Sequence, residues 1–188
     1  MVAKSFRGES KGGRSVKADS DSQDSPRLLS PERQEQRARN VLLYQLSRSA
    51  KSAKQCRDIL AKREIDPEIA EAVIQRYIEV GLIDDLLYAQ TIVSARRKFK
   101  GMAKTAIKRE LGEKGIAPAL IESATENLDA ESELASATDL AIKRIGRLAT
   151  LDKVVRERRL MGYLARKGYS SAQIVPAMKA AEAQLAQM

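Results

Sequence analysis

Three features of this sequence predict an all-α fold. Apolar residues recur at helical spacing, cap residues with Pro or Gly punctuate the chain at helix-sized intervals, and strand-like alternation is nowhere sustained. Residues 1–29 stand apart, rich in Ser, Gly and charge and poor in aliphatics. They cannot bury enough apolar surface to offset their ordering entropy, so a disordered, solubilising tail is expected. Its first 17 residues carry a net charge of +4, which also suits a nucleic-acid arm.

Order is expected from Ser30, a capping residue followed by Pro31 at the first helical position and Glu32 at the positive end of the dipole. Ala38, Val41, Leu42, Gln45 and Leu46 mark one face of this first helix. Ser52 and Gln55 form a capping box for a second, carrying Cys56, Ile59 and Leu60. Asp66-Pro67-Glu68 starts a third, with Ile69, Val73, Ile74 and Tyr77 inward and Gly81 as its stop. Asp84 caps a fourth, stapled by Ile83 and Tyr88, with Tyr88, Ile92, Ala95 and Phe99 inward. Gly101 breaks it. A fifth, with a seam of Ala103, Ile107 and Leu111, runs to Gly115, and Pro118 opens a sixth with Ile121, Ala124 and Leu128. A seventh covers about 130–148, an eighth 151–167, and a ninth begins near Ser170. Pro176 lies inside that ninth helix and predicts a kink or a late start.

Three segments align: ILAKREIDPEIAEAV from Ile59, ELGEKGIAPALIESA from Glu110 and YLARKGYSSAQIVPA from Tyr163. Leu60, Leu111 and Leu164 match, then Arg63, Lys114 and Lys167, then Glu64, Gly115 and Gly168, then Ile65, Ile116 and Tyr169. The spacings are 51 and 53 residues, and each match falls between the second and third helix of a triplet. The chain thus reads as three tandem three-helix modules, over 30–83, 84–128 and 129–188, behind the tail. Modules that touch mainly their neighbours build an elongated, curved array. A monomer is expected.

A net charge of +9 and a pI near 9.7 favour polyanionic partners. With no His, the usual neutral-pH base and the commonest metal ligand are absent. The single Cys56 forbids an internal disulfide or a multi-cysteine zinc site and fits a reducing cytosol. The longest uncharged run, Gly168 to Met178, has 11 residues, far short of the ~20 that span a bilayer. Residues 1–17 lack the apolar region of a signal peptide. A soluble, cytoplasmic, non-enzymatic protein without cofactor, metal or membrane partner is expected.

The densest charge lies between Arg96 and Arg109, where seven Lys or Arg occur without an acid. A phosphate loop is excluded, since Lys104-Thr105 has one Gly three residues before the Lys and a helix in front. Aromatics, at 4%, are too few for a sheet module that stacks bases. Lys100, Lys104 and Lys108, spaced by four, predict an outward stripe flanked by Arg96, Arg97, Lys98 and Arg109. Like charges at that spacing repel by a few tenths of a kcal/mol, which points to an anionic partner rather than a merely wet face. Lys153 to Arg159 is a weaker cluster of mixed sign, with Arg156, Arg158 and Arg159 as its candidate contacts.

GLIDDLLYAQTIVSARRKFKGMAKTAIKRELGEKGI, residues 81–116, resembles the middle module of the RecX family of recombinase regulators. The likeness lies in its Gly-Leu-Ile-Asp-Asp start, the Tyr88-Ala89 pair, the Arg96 to Lys98 run and the Leu-x-x-Lys-Gly-Ile end. LARKGYS at 164–170 is similar to the family's last module and SRSAKSAKQCRDILAKREI to its first, so the resemblance covers about residues 35–182. Glu64, where a Gly is usual, and the long N-terminal extension depart from the pattern. The resemblance implies a non-enzymatic modulator of RecA: a helical crescent lodged in the groove of the RecA–DNA filament, restraining ATP hydrolysis and strand exchange. Weak, non-specific contact with single- and double-stranded DNA would accompany it. The competing reading is a helix-turn-helix regulator of duplex DNA. The third helices begin PEIAEA, PALIES and SAQIVP, which offer little to read bases. An enzyme ranks third, for want of paired carboxylates, a nucleophile or ligand spacing.

Overall fold

The computed structural model describes residues 30–187, and the tail expected over 1–29 lies outside them. Nine α-helices follow one another among the described residues, and no strand. They are α1 (Pro31–Arg48), α2 (Ala53–Ala61), α3 (Pro67–Glu79), α4 (Asp85–Ala95), α5 (Lys104–Glu113), α6 (Pro118–Ala124), α7 (Ala130–Ile145), α8 (Lys153–Arg166) and α9 (Ser171–Leu185). Local chemistry sets most of their starts. Ser30 accepts from the amide of Arg33, Asp66 from those of Glu68 and Ile69, Asp84 from Leu87 and Asp129 from Ser132. Each cap satisfies an amide that the first turn leaves unpaired. Ser52 and Gln55 close the capping box of α2.

The apolar faces meet in three separate cores. Leu42, Cys56, Leu60, Ile74 and Ile83 fill the space between α1, α2 and α3. Ala89, Ile92, Ile107, Leu111 and Ile121 do so between α4, α5 and α6. Ala137, Ala141, Leu160, Leu164, Tyr169 and Ala177 form the third, among α7, α8 and α9. Burying one such Leu or Ile stabilises by about 1.5–3 kcal/mol, too little per core for a lone module of this size to be robust. Neighbours must therefore stack.

They stack in one recurring way. In modules one and two, the N-terminus of the second helix receives the turn between the second and third helices of the next module. Ser52, ahead of α2, donates its hydroxyl to the Lys114 carbonyl at 2.7 Å. At the equivalent place ahead of α5, the Ala103 amide donates to the Lys167 carbonyl at 2.9 Å. Thr105 adds a bond to the Gly168 carbonyl at 2.6 Å. The received turns need the left-handed backbone, with φ of 76° at Gly115 and 94° at Gly168. Glu64 holds the same turn of module one at φ 57°, where no earlier module presses on it.

Three expectations are corrected here. Phe99 does not point inward; it is 77% exposed, because α4 passes at Ala95 into a π-helical turn, Arg96–Lys100, that rotates it off the apolar face. Ala103 is buried, but in the core of module three rather than on the α5 seam of module two. α9 begins at Ser171, so of the kink or late start expected from Pro176 the late start does not occur, and Pro176 lies on the exposed side.

Candidate nucleic-acid interface

The π-helical turn and α5 present the basic run, and the fold divides it. Gly101, at φ 53°, separates Lys100 from α5, so Lys100, Lys104 and Lys108 do not form one continuous stripe. Lys104 turns its ammonium to the Leu128 carbonyl, at 3.0 Å. Lys108 meets both carboxylate oxygens of Glu122 at 2.6 Å. Arg96 is bidentate on Glu110, at 2.7 and 2.5 Å. That contact holds the Glu110 carboxyl below its ordinary range.

Arg97 is the most deeply committed of the run. Its side chain is 15% exposed and pairs with Glu133, which is 5% exposed. It also donates to Ser136 Oγ at 2.8 Å and the Ser132 carbonyl at 3.1 Å. The other Glu133 oxygen accepts from the Lys104 amide, at 3.0 Å. This constellation joins module two to module three and leaves Arg97 little to offer a ligand. Arg156 is similarly engaged, bidentate on Glu182 at 2.9 Å.

The remaining candidates face water. Lys98, Lys100, Arg109, Arg158 and Arg159 are exposed, and none makes a side-chain hydrogen bond or ion pair among the described residues. Lys98 and Lys100 flank Phe99, with the Lys98 ammonium 5.5 Å from the ring centre. Behind them a cleft of about 330 Å³ opens between the second and third modules, its far wall bearing Lys143, Tyr163 and Lys167. The Arg144 guanidinium and the Lys167 ammonium approach the Tyr163 ring at 5.2 and 5.5 Å. Cations beside an exposed ring can pair with phosphates and stack on a base.

Sequence reading missed Phe99 as a surface residue and did not place Lys143, Arg144, Tyr163 or Lys167 at the interface; Tyr163 and Lys167 entered it only through the repeat. Lys143 and Arg144 end α7, where cations ordinarily complement the helix dipole, so they carried no distinct signal. Burial pushes the Cys56 thiol up to about 11 and the Tyr169 phenol up to about 12. Among the described residues, no group of three or more acids or thiols is placed to hold a metal ion, and no helix is long and apolar enough to cross a membrane.

Three family models match the chain in order: the first three-helix domain of RecX over residues 38–76, the second over 84–124 and the third over 131–178. The chain is 44% identical over 135 residues to the regulatory protein RecX of Streptomyces lividans, covering 72% of each protein. It is 38% identical over 162 residues to the regulatory protein RecX of Mycobacterium avium, covering 84% of this chain and 92% of that one. The crystal structure of RecX from Lactobacillus salivarius superposes with a TM-score of 0.71 at 22% identity, covering 81% of this chain and 99% of the other. A second RecX crystal structure gives 0.69 at 24% identity, over 80% and 73% of the two chains. At those identities the two structures speak for the fold alone.

Proposed function

The chain belongs to the RecX family of regulatory proteins, and on that basis we propose that it modulates RecA by lying along the RecA–DNA filament. There it restrains ATP hydrolysis and strand exchange without catalysing anything itself. It works as a cytoplasmic monomer, free of cofactor, and touches DNA weakly and without sequence preference. The observation that carries the nucleic-acid part is the pair of exposed cations, Lys98 and Lys100, without an ion pair among the described residues and on either side of exposed Phe99 at the mouth of the inter-module cleft. Arg109, Arg158 and Arg159 add further exposed charge along the array. Arg96, Arg97, Lys104, Lys108 and Arg156 hold the scaffold in shape and contribute through the field rather than through direct contacts. The third helices begin PEIAEA, PALIES and SAQIVP, with little to read bases, which weighs against a duplex-reading regulator.

Co-sedimentation with RecA on single-stranded DNA, with and without nucleotide, tests this. The parent is expected to pellet with the assembled filament and not with bare duplex. Lys98→Glu with Lys100→Glu should leave helicity intact and lower the log–log salt slope of filament binding by roughly 1.4–1.8, the value for two lost phosphate contacts. Phe99→Ala should weaken binding without changing that slope. Equal affinity for bare duplex and filament would instead favour the helix-turn-helix reading.

A further inference from the structure

The modules are aligned copies, so each position has counterparts that reveal what the fold alone requires there. Between the second and third helices of module one, Arg57 grips Glu71 through hydrogen bonds of 2.7 and 2.8 Å. The matching positions of module two, 51 residues on, are Lys108 and Glu122, again paired. In module three, 53 residues further, they are Met161 and Val175, which are 49% and 62% exposed. A solvated ion pair has given way to two aliphatic side chains standing in water. Folding does not call for the change, since two of three modules close the same helix pair with charge. Adjoining exposed aliphatic side chains at positions that tolerate charge form a contiguous apolar surface, the kind that marks interaction sites.

Met161 and Val175, with Met178 beneath, line an apolar groove of about 360 Å³ between α8 and α9. The charge at its mouth is uneven. Glu182 is committed to Arg156, and Glu157 lies 4.0 Å from Lys153. Lys179, also on the rim, makes no ion pair among the described residues. We propose that this groove docks an aliphatic side chain carried on an acidic segment of a protein partner. The side chain enters between Met161 and Val175, and a neighbouring carboxylate meets Lys179. The groove's chemistry stands independently, whereas RecA as the partner rests on the function proposed above.

Met161→Arg with Val175→Glu writes into module three the pair that modules one and two already carry, at unchanged net charge. Both new residues are good helix formers, so circular dichroism and the thermal midpoint should stay close to the parent's. The first probe is anilinonaphthalene sulfonate, an apolar anion. The full-length parent should bind it saturably, and the double variant should lose about half or more of that signal. An equal signal in both overturns the groove. The second probe is the RecA filament on single-stranded DNA, which the variant should bind about tenfold more weakly, with its affinity for bare DNA unchanged. If the parent binds the filament and the variant matches it within about twofold, the partner assignment is overturned. If the parent does not bind the filament at all, the functional proposal fails, and the dye measurement alone decides the groove. Self-association of the parent that disappears in the variant gives the groove to a second copy and overturns the acidic partner.

Discussion

The seam between modules one and two and the seam between modules two and three share one anatomy and differ in what fills it. In the first, buried Ser52 uses its whole hydroxyl, accepting from the Gln55 amide at 3.2 Å while donating to the Lys114 carbonyl. Asp85 accepts from the Ala53 amide at 2.8 Å, and Tyr88 donates to Gln55 at 3.0 Å. The second seam replaces the hydroxyl with the Ala103 backbone and adds the buried Arg97–Glu133 pair. It also gains Lys167 on the Lys100 carbonyl at 2.6 Å and Tyr169 on the Gly101 carbonyl at 3.3 Å. The first seam is a cap shared between modules. The second is a polar network closed over a charge, and it is intolerant of partial loss, because a buried ion stripped of its partner keeps its full desolvation cost.

That difference is open to direct attack. Glu133→Ala leaves Arg97, largely shielded from water, without its counter-ion and the Lys104 amide without an acceptor. Urea unfolding of the full-length protein should show a loss of about 3–5 kcal/mol. Ser52→Ala, which removes the shared cap, should lose about 2 kcal/mol. Equal losses would mean that the charge pair adds nothing to its seam.

The turns between the second and third helices of the three modules make a finer series. An alanine Cβ at Gly168 would lie 2.6 Å from the Ala106 Cβ and 3.2 Å from its backbone nitrogen, neither of which can swing aside. Added to left-handed strain, Gly168→Ala should destabilise by about 2–3 kcal/mol. At Gly115 the Lys54 Cδ can swing aside, but the Lys54 Cβ, 2.5 Å away, is as fixed as that of Ala106, so Gly115→Ala should likewise cost about 2–3 kcal/mol. Glu64 bears the strain without the crowding, and Glu64→Gly should stabilise by about 0.5–1 kcal/mol. Thermal midpoints of the three variants check the order; a stability loss in Glu64→Gly would show that the side chain supports something the turn needs.

Acid should produce the mildest effect, and one that spares the contrast between the seams. Glu71, Glu110 and Glu182 lie inside modules, and hydrogen bonds from Arg57, Arg96 and Arg156 hold each carboxyl below its ordinary range. Their folded-state pKa values are depressed, so the stability they lend is present above the unfolded value and drains away as pH falls through the folded one. The urea midpoint should be flat above about pH 5 and decline below about pH 4. Glu110→Gln should flatten part of that decline without loosening either seam. A midpoint that rises on acidification would contradict the assignment.

Helix starts, helix stops and the three-fold repeat were all open to inspection in the chain, because each is local. Ser30, Ser52, Asp66 and Asp84 cap amides within three residues, and Leu60, Leu111 and Leu164 recur with the period of the module. The candidate interface was open only as a set of cations. Which of them are free depends on acids brought from afar: Glu110 and Glu122 lie 14 residues from Arg96 and Lys108, and Glu133 lies 36 from Arg97. A run without acids in the chain is therefore not a surface without acids. The exposure of Phe99 turned on a π-helical turn that the spacing of apolar residues does not encode. Propensity, capping and periodicity act over a few residues and are written in order along the chain. Charge pairing and burial act through space, and only the packing of one module on the next decides them.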